Sequence, residues 1–234
     1  MEKREKLYEG KAKIIYATDD PEHVIQYFKD DATAFNAAKK GTIQEKGIMN
    51  NKISSKIFTF LQTNGISTHF EKQLSEREMF IKKVKIVPIE VIVRNRAAGS
   101  LCRLLGLKEG EHLSMPILEF CYKRDDLNDP LINEYHIKAL NLAAQEELDA
   151  IKTLAFKVNE LLKKFFDRLD LELVDFKLEF GRYHDRIILA DEISPDTCRI
   201  WEKGTGKKLD KDRFRHDLGQ IEEAYQEVLN RVTK

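Results

Sequence analysis

Apolar and polar positions alternate from the first residues onward. LYEGKAKIIYA and VIQYF, between Leu7 and Phe28, follow a period of two broken by Gly10 and by Asp19-Asp20-Pro21, which predicts a hairpin and then a third strand. Asp30 to Gly47 is polar and has no period, so it reads as irregular. Ile48, Ile53, Ile57, Phe60 and Leu61 then recur at helical spacing until Gly65 supplies a stop, which predicts an amphipathic helix. THFEKQL, REMFIKKVKIV and PIEVIVRNRAAGS carry the next strand signals, with Pro88 at the start of the last and a bend expected there. A hinge near Lys83 to Val87 divides the chain into lobes 1–84 and 85–234, which must pack tightly because no Ser/Gly-rich linker joins them.

CYKRDDLNDPLINEYH reads as a loop turning at Asp129-Pro130, polar enough to line a site. Leu148, Ile151, Ala155, Val158, Leu162, Phe165 and Leu169 form a long apolar stripe at steps of three and four, the mark of a core helix. LELVDFKLEFG and RIILADEIS are strands around a turn at Arg182 to Asp185, and a helix from Asp212 to Val232 closes the chain. Strands that pair antiparallel, with helices in blocks, predict an α+β fold with antiparallel sheets and flanking helices.

Composition narrows the function. Among 234 residues, 40 Lys+Arg balance 40 Asp+Glu, so no overall field attracts polyanions and no nucleic-acid partner is expected. No run is apolar enough to span a membrane. The charged start MEKREKLYEG is unlike a signal peptide, and Cys102, Cys121 and Cys198 are odd in number and widely spaced. Three reduced cysteines in a cytoplasmic protein are the expectation.

Some polar positions carry chemistry. Beside Gly10, Lys11 and Lys13 project from one face of the hairpin, which is either an exposed basic surface or a cover for a triphosphate. Period two also puts Asp175, Lys177 and Glu179 on one face of their strand and Val174, Phe176, Leu178 and Phe180 on the other. That polar face is either solvated or a site. Asp191 would lie opposite Glu179 if the turn centred on Asp185; two facing carboxylates repel unless a cation or a shared proton sits between them, and oxygen-only ligation suits Mg²⁺ on phosphates. Arg94, Arg96 and Ser100 leave the strand of IEVIVRNRAAGS with Glu90 before them, and Asp196, Arg199, Arg213 and Arg215 follow the carboxylate strand. Guanidinium groups either bind phosphate and carboxylate through paired bonds or pair structurally with the many acids. A second anionic pocket apart from the lysines follows from the first choice. The six histidines show no HxxxH spacing, no GxSxG occurs, and Trp201 reads as packing.

Taken in order, YEGKAKIIY, IEVIVRNRAAGS, LVDFKLEFG and DEISPDTCRIW resemble the phosphoribosylaminoimidazole-succinocarboxamide synthases, the SAICAR synthetases of purine biosynthesis, over essentially the whole chain. KDDATAFNAAKKGTIQEKG resembles that family's adenylate-side loop and helix approach, with Ala37 where glycine is expected. The resemblance implies a two-lobed, ATP-grasp-like fold, nucleotide in the first lobe and substrate and metal in the second. It implies an ATP-dependent ligase joining the carboxylate of carboxyaminoimidazole ribotide (CAIR) to the amine of L-aspartate. By the same resemblance Lys11, Lys13 and Lys123 hold ATP and Glu179 and Asp191 hold Mg²⁺. Lys177 lies near the transferred group, with Asp175 and Asp196 orienting substrate. Arg94, Ser100, Arg199 and Arg215 bind CAIR, Asp129 contacts CAIR or aspartate, and the protein is a homodimer. The rival reading is a small-molecule kinase on a related ATP-binding scaffold.

Overall fold

Of the chain, the computed structural model describes residues 2–34 and 39–234; Ala37 lies outside the described residues. The early alternation forms β1 (Lys3–Glu9), β2 (Lys13–Thr18) and β3 (His23–Phe28). Lys11 sits in the turn before β2 instead of on the strand. The stretch expected to be irregular holds a short hairpin, β4 (Asp31–Ala34) and β5 (Lys39–Thr42). Large apolar residues are absent from these two strands, so the pattern hid them; Ala32, Ala34 and Ile43 nevertheless pack with Phe214 in a small core of their own.

Helix α1 (Lys46–Thr63) follows, with Ile53, Ile57, Phe58 and Leu61 fully buried. Strands β6 (Phe70–Gln73) and β7 (Glu78–Lys82) complete a five-stranded antiparallel sheet in the order β1-β2-β3-β7-β6. The chain then changes sheet. β8 (Lys85–Arg96) belongs to the second sheet, and Pro88 lies inside it, not at its start. The ladder to the neighbouring strand shifts register between Glu179 and Gly181, opposite Glu90 and Ile86, and such a bulge removes the need for the proton that proline lacks.

After α2 (Ser100–Leu105), β9 (His112–Tyr122) takes the residues Cys121 and Tyr122 expected in a loop, and β10 (Leu131–Ile132) and α3 (Glu134–Ala139) take more of it. The Asn133 side chain starts α3 by accepting from the backbone N–H of Tyr135 at 3.0 Å and His136 at 3.2 Å. The long apolar stripe is α4 (Gln145–Asp167). β11 (Leu171–Tyr183), β12 (Arg186–Ala190) and β13 (Cys198–Glu202) complete the second sheet, ordered β10-β9-β8-β11-β12 with β13 also paired to β11.

The closing helix is two: α5 (Asp212–Arg215) and α6 (Ile221–Thr233). Between them Asp217, Gly219 and Gln220 adopt left-handed backbone, and the Arg213 guanidinium donates to the carbonyls of Lys208, Leu218 and Gly219, holding the break open. α6 packs on α1. One apolar core therefore runs from Phe28 and Met49 through α4 to Tyr225 and Val232, across both sheets.

Candidate active site

A cleft of about 640 Å³ is lined by the β1–β2 turn, β8, β11 and the segment after β12. Lys13, at the first position of β2, enters it and donates to Asp191, with Glu192 at 3.4 Å. From β11, Lys177 donates to Glu179 at 2.6 Å, to Asp191 at 3.1 Å and to Glu90 at 3.2 Å. Lys123, just past β9, donates to Glu179 at 2.8 Å. Three ammonium groups and four carboxylates thus neutralise one another almost completely. Burial alone would lower the Lys13 and Lys177 ammoniums, but Asp191 with Glu192, and Asp191 with Glu179 and Glu90, outweigh it and hold both above their ordinary value. Burial would raise the Asp191 carboxyl; Lys13, Lys177 and Lys123 hold it well below the usual carboxylate range.

The expected register is one residue off. Glu179 pairs with Ala190, not Asp191, because the turn contains two residues, His184 and Asp185, between paired Tyr183 and Arg186. Asp191 still reaches the site because, just beyond the strand, its left-handed backbone (φ 63°) redirects the side chain. Glu179 and Asp191 therefore converge on one ammonium, at 2.6 and 3.1 Å, which is where a cation fits. Among the described residues no three or more His, Cys, Asp or Glu side chains are grouped for a metal, so an ion here would draw its remaining ligands from phosphate or water, as Mg²⁺ does.

The arginine group lies deeper. Arg94 is buried with every nitrogen engaged: Nε on Glu119 at 2.6 Å, Nη1 on Asp175 at 2.8 Å and Nη2 on Ser100 Oγ at 2.8 Å. Arg199 joins Asp175 and Asp212, each at 2.8 Å, and Arg215 bonds Asp212 at 2.7 Å. Burial would raise Asp212; Arg199 and Arg215 hold it at about 2. Gly99 is required here, since its φ is 57° and a Cβ would come within 2.4 Å of Arg199 Nη2. Arg96 pairs with Glu172 at 2.5 Å and with the Gly110 carbonyl at 2.8 Å, outside this group.

The alternation of β11 holds from Asp175 onward, and Asp175 and Glu179 are buried while Lys177 is half-buried, so this face is no solvated surface. Val174 departs from it. A register shift between Leu173 and Asp175 sends Val174 to a separate cluster with Ala98 and Trp201, which confirms Trp201 as packing. Asp175 and Lys177, two apart on one face, set the arginine group roughly 7 Å along the strand from the lysine–carboxylate group.

The family model described as SAICAR synthetase matches residues 6–232. The chain belongs to the SAICAR synthetase family. A phosphoribosylaminoimidazole-succinocarboxamide synthase of Caldanaerobacter subterraneus subsp. tengcongensis is 62% identical over 232 residues, 99% of each chain. Among solved structures, the enzyme of the same name from Ehrlichia chaffeensis matches with TM-score 0.96 and 49% identity over 98% of each chain. A SAICAR synthetase described in complex with ADP matches with TM-score 0.94 and 47% identity, covering 98% of this chain and 97% of its own. The two-sheet α+β architecture is thus that of SAICAR synthetases.

Most of the expected SAICAR synthetase site residues come together, in two groups. Lys11, Lys13, Lys123, Asp129, Lys177, Glu179, Asp191 and Asp196 line the cleft, and Arg94, Ser100, Asp175, Arg199 and Arg215 form the deeper cluster. Lys11 is exposed and pairs with Asp125 at 2.7 Å. Asp129 accepts the Arg124 N–H at 2.8 Å with left-handed backbone, so it also holds its own turn. Asp196 is a satisfied anchor: Lys46 donates to one oxygen at 2.6 Å and Tyr225 to the other at 2.7 Å. Sequence reasoning passed over Lys46, Tyr225, Asp212 and Lys211. Lys46 had a signal, since it falls on the same helical stripe as Asn50, Ile53 and Ile57, where a buried charge demands a partner.

Proposed function

We propose that the chain is an ATP-dependent ligase that joins the carboxylate of CAIR to the amine of L-aspartate, giving SAICAR, ADP and phosphate in purine biosynthesis. Family membership supports the reaction. The observation that carries the assignment to this site is Lys177, whose ammonium donates to Glu179 and Asp191 together on the strand face that also presents Asp175 to the arginines. The division at residue 84 into nucleotide and substrate lobes belongs to the same proposal.

In this reading ATP occupies the cleft with its phosphates toward Lys11, Lys13 and Lys123. Glu179 and Asp191 would hold Mg²⁺, which supplies charge neutralisation on the β- and γ-phosphates when bound. CAIR lies toward Arg94, Ser100, Arg199 and Arg215. Its carboxylate oxygen attacks the γ-phosphorus; the bond to the bridging oxygen breaks and ADP leaves. Lys177 faces the charge that builds up during this step. The acyl phosphate is then attacked by the aspartate nitrogen, the C–O bond breaks, phosphate departs and the nitrogen loses a proton. Phosphoryl transfer requires positioning and charge neutralisation more than a protein nucleophile. A protein built this way has no need of its cysteines, which are unpaired; Cys198 is buried.

Release of ADP should require CAIR, L-aspartate and Mg²⁺ together, with SAICAR formed in equal amount; release that continues at full rate without aspartate and without SAICAR would instead identify a kinase. A homodimer and a cytoplasmic location are part of the proposal, and light scattering on the purified protein checks the first. Among the described residues no helix is long and apolar enough to cross a membrane.

A further inference from the structure

We propose that Lys211 binds a substrate carboxylate at the junction between the cleft and the arginine cluster, an inference that rests on the ligase reading above. Lys211 lies just before α5, with its backbone pinned on both sides. Its N–H donates to the Pro195 carbonyl at 3.0 Å and its own carbonyl accepts from Arg215 at 3.0 Å. The side chain is 14% exposed and lines the cleft beside Asp196 and Thr197.

What sets Lys211 apart is its pairing. Lys11, Lys123 and Lys177 each have a carboxylate oxygen within 2.8 Å, and Lys13 is held by Asp191. A phosphate arriving at those lysines must displace a protein carboxylate. Among the described residues Lys211 has only Asp196 as an ion-pair partner, at 4.0 Å, beyond hydrogen-bond reach. Both Asp196 oxygens are already taken at shorter range by Lys46 and Tyr225. Burial accordingly holds the Lys211 ammonium below its ordinary value, more than Asp196 compensates. A mostly buried ammonium whose three donors find no close acceptor among the described residues is costly unless an anion completes it.

The reaction supplies such an anion. The triphosphate has the cleft lysines, the ribotide phosphate has the arginines and the phosphoryl transfer has Lys177, whereas neither carboxylate of L-aspartate has a cation assigned to it and that of CAIR shares Lys177 with the transferred group. Lys211, between Asp196 on the cleft side and Arg215 beyond, is positioned for one of them.

The test is Lys211→Met, which keeps the length of the stem and removes the charge, with KM measured separately for L-aspartate, CAIR and ATP and thermal melting followed alongside. Loss of one charge-assisted bond should raise KM for L-aspartate or for CAIR about ten- to a hundredfold while KM for ATP stays put. A rise confined to L-aspartate identifies the carboxylate of the amine substrate; one confined to CAIR identifies the carboxylate that is activated. The proposal is overturned if neither rises, if ATP is affected as strongly, or if the loss falls on kcat alone. Should the Met variant melt too low for kinetics, Lys211→Arg serves instead: retained charge should preserve binding of CAIR and L-aspartate in calorimetric titration better than in Lys211→Gln, and equal affinities in the two variants overturn the proposal. Wild-type protein that makes no SAICAR defeats the ligase reading; wild-type turnover with unchanged KM values in the variants defeats only Lys211.

Discussion

The two charged groups share a strand face and are built oppositely. In the cleft, three lysines face four carboxylates near solvent, and each cation touches an acid that a nucleotide and its metal would claim. In the arginine cluster Arg94 and Arg199 are held by Asp175 from both sides, and the acids are buried; Arg94 is 3% exposed. The first group exchanges partners when it works. The second is assembled beforehand, in a place where water cannot rearrange it, and Coulomb attraction acts there with less screening.

Removing an acid should therefore act on stability in one group and on turnover in the other. Asp175→Ala strands two guanidinium groups in the interior and should cost about 3–5 kcal/mol of unfolding free energy, measured by urea denaturation; a loss under about 1 kcal/mol, the scale of a surface pair, would erase the distinction. Asp191→Asn, nearly isosteric, should lower turnover at limiting Mg²⁺ on the order of 100-fold and leave the melting curve close to wild type. Unchanged activity at limiting Mg²⁺ removes Asp191 from the metal site. Arg215→Ala should raise KM for CAIR by roughly 10- to 150-fold, the value of a charge-assisted bond, whereas Lys11→Ala should act through ATP. An arginine variant that loses ATP affinity with CAIR binding untouched, in separate titrations, reverses the assignment.

A further difference concerns pH. Burial first, and then the charge of Asp212, pushes the Asp210 carboxyl up to about 7. Its folded value exceeds the unfolded one near 3.9, so the native state binds the extra proton between these limits. The contribution is full below about pH 4 and is lost as the pH rises through 7. Asp210→Asn cannot titrate, so the stability of wild type relative to this variant should decline from pH 5 to pH 8 in paired melts. A difference that stays flat with pH assigns the ionised form to Asp210 throughout.

What the sequence made legible was what repeats. The stripe of α4 and the alternation of β11 both carry many positions of one period, and each is paired or packed as expected, β11 from Asp175 onward. Strand β9 gave little signal because HLSMPILEFCY contains Pro116 and is largely half-exposed; its ladder to β8 is irregular between Arg94 and Arg96, which accommodates the proline. The Glu179–Asp191 pairing missed by one because a turn of two residues and a turn of three look alike in text. The grouping of Lys13, Lys177 and Glu179, and of Arg94 with Arg199 and Arg215, was foreshadowed by residue type and spacing, whereas Lys11, Arg96 and Arg213 take other places. Tyr225 and Lys211 were not legible, and Lys46 only as a buried charge without a named partner, since each acquires its meaning from Asp196, which for Lys46 is 150 residues away.

That last separation governs how the chain comes together. Lys46 and Asp196 are 150 residues apart, and α1 is packed against α6 at the other terminus. The first sheet emerges early during synthesis, yet its helix keeps an unmatched ammonium until Asp196 has been made and an apolar flank until the final residues leave the ribosome. Closing so large a loop is slow, so refolding should proceed in one late cooperative step in which fluorescence of Trp201 and far-ultraviolet ellipticity recover together, and a fragment ending at residue 84 should not hold its structure alone.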